Sequence, residues 1–321
     1  MTAPVLQPTT AKTEKVQYRG TNWPEYDRAL VRRGSLTLWV DDVFLNERGR
    51  PAPTGRRGAP VRYSDTAIQA LWILKAVFDL PYRMGEGLAG SIVRLLGLTL
   101  SIPDHPLLSR RAKTLRVEIP RRARTGLIHL VVDSTGLKVC GEGEWKVRQH
   151  GAGQRRTWRK VQVAVDAQVK DVLAVEVTTA QGTDGEVFAG LLEQIEAPSA
   201  QVDADGAYDT RAVYAAAAAH GADLVVPPRE NAVPWAADHP RTQALADIAT
   251  HGLSAWKRAR GYHHRSLAEN ARYRFKQLFA DRLASRRFET QVTEVHVRVA
   301  ALNVMTYLGM PVSAPVGGSL S

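Results

Sequence analysis

Three acidic residues stand where their side chains could do chemistry together. Asp133 closes the apolar run Leu127-Ile-His-Leu-Val-Val and precedes Ser-Thr-Gly. That pattern predicts a buried strand ending at a turn, with the carboxylate at the rim where ligands gather. Asp205 repeats the arrangement in Val202-Asp-Ala-Asp-Gly-Ala-Tyr. Asp203 lies two residues earlier on the same strand face and competes for the same role. The third acid, Glu269, belongs to a helical pattern in which Arg265, Glu269, Arg272 and Lys276 recur at i, i+4, i+7 and i+11. At 100° per residue these four share one face, opposite the apolar stripe of Leu267, Ala271, Phe275 and Leu278. Alone, such a row is an ordinary surface of helical ion pairs. Beside two strand-end aspartates it gains a use. Close carboxylates repel, and a divalent cation relieves them, while neighbouring Arg and Lys hold phosphates. Two ions about 4 Å apart can activate a water or a 3′-hydroxyl and stabilise the departing oxygen of a phosphodiester. The chemistry predicted is phosphoryl transfer on nucleic acid.

Positioning these groups needs a sheet with helices on it. Strands are expected at 127–133, 160–166, 172–177, 199–205 and 224–227, with helices at 184–196 and 210–220. Three hairpin-like strands followed by alternating helix and strand make an α/β order with a mixed sheet. Glu269 follows Asp205 by 64 positions, more than one strand and one short helix require, so residues 230–260 read as a small helical insertion carrying Trp235 and Trp256. These tryptophans are core residues or stacking platforms for an unpaired base. His263 and His264 adjoin the row, but neighbours on a helix point about 100° apart and do not share a metal.

Upstream, helical periodicity runs from Ser64 to Phe78, from about Arg83 to Leu96, and from Leu108 to Leu115. Short helices joined by tight turns, the last carrying Arg110, Arg111 and Lys113, suggest a helix-turn-helix-like block in which those cations contact DNA or form a solvated face. Charge supports a polyanion partner. The chain of 321 residues carries 43 Lys and Arg against 32 Asp and Glu, and the excess lies almost wholly in the first 125 residues, with 21 basic and 11 acidic side chains. Four arginines sit in the Pro- and Gly-rich stretch 47–60, which is read as a linker. One cysteine, Cys140, excludes an intramolecular disulfide and a cysteine-based metal cage. No apolar run spans a bilayer and no signal-peptide pattern opens the chain, so a cytoplasmic protein is expected.

From about Asn22 to Pro311 the chain resembles the DDE transposases of bacterial insertion sequences, in the branch with the tyrosine-arginine-glutamate-lysine signature, near the IS-five type. Tyr262, Arg265, Glu269 and Lys276 satisfy Y-x2-R-x3-E-x6-K. The strings Val132–Lys138, Arg159–Asp166, Asp205–Thr210, Ser109–Lys113 and Ala301–Pro311 are similar to that group as well. The resemblance implies a ribonuclease-H-like mixed-sheet core with Asp133, Asp205 and Glu269 as catalytic, metal-binding residues. It implies two Mg2+ ions, with Mn2+ able to substitute. Hydrolysis at the element's terminal inverted repeats would be followed by attack of the freed 3′-hydroxyl on target DNA. Arg265 and Lys276 would lie on phosphates and Tyr262 against sugar or base, and Arg272 of the same helical row is a further expected DNA contact. Bringing two ends together implies a homodimer on DNA, associated with the bacterial nucleoid.

The expected organisation is a basic leader and linker (1–62), a helical DNA-binding domain (63–125), a catalytic domain (126–312) and a flexible tail (313–321). Two other functions fit the same residues: a DNA-recognition protein without chemistry, and a metal-dependent nuclease that cuts without joining.

Overall fold

The computed structural model describes residues 18–40, 62–139 and 158–315. The expected leader up to residue 17, the arginine-rich linker and Cys140 lie outside them.

The element order is β1 (Tyr18–Gly20), α1 (Trp23–Arg33), α2 (Leu36–Trp39), α3 (Asp65–Val77), α4 (Tyr82–Leu95), α5 (His105–Arg111), β2 (Ile128–Val139), β3 (Trp158–Asp166), β4 (Val172–Thr179), α6 (Asp184–Glu193), β5 (Ser199–Asp203), α7 (Arg211–Ala219), β6 (Asp223–Val225), α8 (Pro240–His251), α9 (Leu253–Ala259), α10 (Ser266–Phe279), β7 (Arg282–Leu283), α11 (Phe288–Leu308) and β8 (Ser313–Pro315). Short 3-10 turns at Gly206–Tyr208 and Tyr262–Arg265 lead into α7 and α10.

The main sheet runs β4-β3-β2-β5-β6, with β7 also on β2. β3 pairs antiparallel with both β2 and β4, whereas β5 is parallel to β2 and to β6. The mixed sheet expected from the element order is therefore present. Alternation along β2 divides the core. Ile128, Leu130 and Val132 join the cluster under α6 and α7, while Val131 and Leu137 join the cluster under α3, α10 and α11.

Two boundaries differ from expectation for a shared reason. β2 does not stop at Asp133, because β3 pairs with it as far as Lys138 opposite Trp158. Gly136 makes no turn there. A Cβ at Gly136 would stand 3.2 Å from the ring of Trp158, so the glycine admits a close cross-strand approach. Likewise the expected tail begins with β8, which pairs antiparallel with β1.

The N-terminal helices are not a body apart. Ser64 caps α3 by accepting from the Ala67 amide, and Asp104 caps α5, which begins at His105 within the expected turn, by accepting from Leu107. Yet Ile68, Leu71 and Trp72 of α3 lie in the same core cluster as Val131, Phe275 and Leu302. Helices of this length are marginal alone, and packing stabilises them.

α11 is buried along most of its length from Thr290 to Thr306, so this helix is core within one chain. Its Asn303 is fully engaged. Nδ2 donates to the carbonyls of Pro120 and Val172, and Oδ1 accepts from the Val172 amide, each at 2.9 Å. Asn303→Leu leaves these backbone groups unpaired, and a loss of about 3 kcal/mol in urea unfolding is expected. A loss below about 0.5 kcal/mol would contradict that account.

Candidate active site

Asp133 is placed by a gap in the sheet. β5 pairs with β2 only up to Val131 opposite Asp203, and β7 resumes at Lys138 opposite Arg282. Between them, among the described residues, that edge of β2 has no strand partner, while α10 packs on β2 and β3. Asp133 lies on the same face as Val131 and Leu137, the face that α10 covers. Continuing the β2–β5 register by two residues brings Asp205 alongside Asp133. The chain turns there into the 3-10 segment, whose first turn Asp205 caps by accepting from the Ala207 amide at 2.8 Å.

Glu269 enters from the first turn of α10. Gly261, with φ of 66°, makes the left-handed bend that starts the 3-10 turn bearing Arg265. The Arg265 guanidinium gathers all three acids. Its Nη1 donates to Glu269 Oε1 at 2.6 Å, and its Nη2 lies 3.6 Å from Asp205 Oδ2 and 3.9 Å from Asp133 Oδ1. Arg272 Nε stands 3.7 Å from Asp133 Oδ2, and its Nη1 donates to the Ser134 carbonyl at 3.5 Å.

Asp133 is 3% exposed. Oδ1 accepts from the Ser134 amide at 2.9 Å, and Oδ2 is buried with no hydrogen bond. Burial holds its carboxyl above the usual aspartate range despite Arg272, the Ser134 amide and Arg265, and Asp205 adds to the rise. For Arg265, burial opposes the charge, but Tyr262 and the surrounding carboxylates outweigh it and hold the guanidinium above its ordinary value.

The donor set fits a divalent cation. All three acids offer hard oxygen, and Asp133 Oδ2 is an orphan that a cation would satisfy. As placed, no three His, Cys, Asp or Glu side chains among the described residues stand at metal-ligating spacing. At the acids, a guanidinium occupies the space between them.

Asp203 is resolved as a different group. It is fully buried and accepts from Gln201 Nε2 at 2.7 Å, with His129 Nε2 2.9 Å away. His264 lies edge-on to His129, and the His263 and His264 rings are 4.1 Å apart, so this histidine cluster sits on the Asp203 side.

Other expected residues fall elsewhere. Tyr262 is buried beside Trp256, and its hydroxyl donates to the Ala204 carbonyl at 3.1 Å. It braces the residue before Asp205 and faces no open surface. Tyr262→Phe is expected to cost about 1 kcal/mol of stability. It should slow DNA cleavage without changing DNA affinity, which titration of a labelled duplex checks. Trp235 has the guanidiniums of Arg211 and Arg241 over its ring at 4.5 and 4.3 Å, and Trp256 is buried, so both are packing residues. Arg111 donates to the Tyr63 carbonyl at 3.0 Å and pairs with Asp65, fastening α5 to the start of α3. Arg110 and Lys113 are exposed. Lys276 lies half-buried two turns beyond Glu269, and burial together with Arg272 and Lys138 lowers it despite Asp281. Lys138, paired with Asp281 at 2.8 Å, is a cation near Lys276 that the spacing of the helical row could not show. The available signal was its place in the strand of Asp133.

Two family models, each described as a transposase DDE domain, match this chain, one over residues 31–142 and the other over 124–304. The second covers more than half of the chain and contains Asp133, Asp205 and the whole 3-10 turn and helix that carry Arg265 and Glu269. Among solved structures, a cryo-EM structure of a piggyBac transposase synaptic complex with hairpin DNA is similar over 91% of this chain and 77% of that one. Identity there is 10% and the TM-score 0.39, too low for any argument to rest on it. The length of the family match and the gathered acids within it lead to one conclusion: the chain belongs to the DDE transposase family, enzymes that cut DNA with the help of divalent metal ions.

Proposed function

We propose that this protein is the transposase of a bacterial insertion sequence, of the tyrosine-arginine-glutamate-lysine branch near the IS-five type. It binds the element's terminal inverted repeats, cleaves at the ends and joins the freed 3′-hydroxyl to target DNA. The observation that carries the reading is the convergence of Asp133, Asp205 and Glu269 on one guanidinium, each within 3.9 Å of it.

In this reading Asp133, Asp205 and Glu269 hold two Mg2+ ions, for which Mn2+ can substitute. Bound there, the ions supply an activated water or 3′-hydroxyl and stabilise the leaving oxygen. Asp133 contributes the orphan Oδ2 from a central strand, and Glu269 approaches from the helix packed on that sheet. Arg265, Arg272 and Lys276 hold phosphates flanking the scissile bond, Arg265 after it leaves the acids. Tyr262 keeps Asp205 in register through the Ala204 carbonyl. The strand order, with β3 antiparallel to β2 and β5 parallel to it, supports a ribonuclease-H-like core. Arg110 and Lys113, exposed at the end of α5, extend the DNA contact. A homodimer in the DNA complex and a cytoplasmic, nucleoid-associated location accompany the reading. No helix among the described residues is long and apolar enough to cross a membrane.

The test is incubation of the protein and Mg2+ with DNA containing the inverted repeats that flank its reading frame, together with a target plasmid. Nicks at the repeat ends and joined products are expected. Cutting without joining would assign a nuclease, and a bound but uncut end would assign a recognition protein.

A further inference from the structure

Beyond Lys276 along α10 opens a cavity of about 590 Å3 between α3, α10 and α11. Trp72, Lys75, Asp79, Lys276, Arg282 and Arg298 are among its walls. Some of its charge is internally satisfied. Arg298 Nη2 donates to Glu294 Oε1 at 2.6 Å, and Glu294 also accepts from the amides of Ala284 and Ser285 at 3.0 and 2.9 Å. Lys75, Lys276 and Arg282 differ. Among the described residues none of them has a carboxylate oxygen within 4 Å or a side-chain hydrogen bond. Asp79 and Glu294 are the lining carboxylates, against the four cations Lys75, Lys276, Arg282 and Arg298.

Lys75 is held in an apolar frame, its Nζ 5.2 Å from the Trp72 ring centroid and 5.1 Å from that of Tyr82. Trp72 is 1% exposed, and its Nε1–H is buried with no acceptor. Burial lowers both Lys75 and Lys276 from the ordinary lysine value. Lining cations in excess of their counter-charge, Lys75 and Lys276 half-buried and Arg282 exposed, destabilise a fold, and an anion supplied from outside relieves them. A single oxyanion with several acceptor oxygens suits cations that line one cavity.

Helix geometry indicates the source of that anion. Lys276 is seven residues from Glu269 on the same face of α10, about 10 Å along the axis or about three 3.4 Å steps of a DNA strand. We propose that the cavity seats a backbone phosphate of the DNA strand about three nucleotides from the scissile phosphodiester, clamped by Lys75, Lys276 and Arg282. The proposal rests on the transposase reading above and adds α3 to the DNA path, so that an N-terminal helix and the helix of Glu269 grip one strand.

The test compares wild type with Lys75→Met and Arg282→Gln. Lys75→Met keeps the stem that packs on Trp72. Binding of a fluorescein-labelled duplex of about 30 base pairs is followed by anisotropy in EDTA, with KCl varied from about 50 to 300 mM. Each variant is expected to bind several-fold more weakly, with the slope of log Kd against log salt reduced by about 0.9. The Tm of Lys75→Met should equal or exceed that of wild type, since a desolvated and unpaired charge is removed. Inorganic phosphate forms a parallel arm, read by Tm. If it stabilises wild type but neither variant, while the DNA slopes stay unchanged, the cavity takes a free anion and the DNA assignment falls. Unchanged slopes in both variants without a phosphate effect also overturn it, and a lowered Tm of Lys75→Met would then mark Lys75 as structural. Wild type that does not bind the duplex would overturn the transposase reading too, a failure visible before any variant is compared.

Discussion

Asp133→Asn is expected to leave the fold intact and to lower Mg2+-dependent DNA cleavage by about a thousandfold or more. The loss follows from charge. An ion at this carboxylate contributes several kcal/mol to the transition state, and each 1.36 kcal/mol is about tenfold in rate. The fold survives because the amide oxygen can still accept from the Ser134 amide, the one hydrogen bond Asp133 makes. What disappears is a buried charge whose desolvation outweighs the attraction of Arg272 and Arg265. Asp205→Asn and Glu269→Gln should lose comparable activity, and the triple variant little more, because groups acting as a unit are not additive. Plasmid nicking alongside thermal melts separates activity from folding. Activity within about tenfold of wild type in any of the three single variants would refute the triad.

The sign of the pH dependence follows from the same burial. The folded-state value of Asp133 is raised, so its ionisation works against folding above that value, and the penalty is relieved as pH falls through it. Protonation also competes with a cation. Cleavage by the wild type should therefore begin to fall, on acidification, at a higher pH than an ordinary aspartate would dictate.

Arg265→Ala is expected to move two observables in opposite directions. Without metal the guanidinium offsets the mutual repulsion of three carboxylates. Its removal should destabilise the EDTA-treated protein by about 1–2 kcal/mol, a figure already discounted for the solvent reaching Asp205 and Glu269. Mn2+ then binds without displacing an internal cation, so the metal-induced rise in Tm should exceed that of wild type. Cleavage should nevertheless fall by about a hundredfold or more, as when a preorganised donor to a transition-state oxyanion is lost. A metal-induced Tm rise equal to that of wild type would mean that Arg265 and the ion do not compete.

Much of the scaffold was legible in the residues. The apolar run before Asp133, the alternation of 160–166 and the helical periods at Ser64 and Ser266 each lie within one element, where spacing translates into direction through a fixed period. The insertion helices were legible for the same reason, and α8 and α9 stand where periodicity placed them. The misread positions depend on a partner strand or helix. Ser-Thr-Gly after Asp133 has turn composition, yet it continues a strand because Trp158 fills the space over Gly136. Tyr262 shares a turn with Arg265, but its neighbours Trp256 and Val225 are contributed by other elements, and they draw it into the core.

What the amino-acid order determined by itself was therefore the set of groups: two aspartates, each expected at the end of a strand, and a glutamate on a helix with cations at fixed angular offsets. Those relations are local, set by the rise and rotation of each backbone. Tertiary structure decided which groups meet. The β2–β5 register sets Asp205, not Asp203, alongside Asp133, and the docking of α10 on the face of β2 and β3 brings Arg265 among the acids. Register and docking are fixed by side-chain packing summed over many distant residues, which no short window of sequence contains.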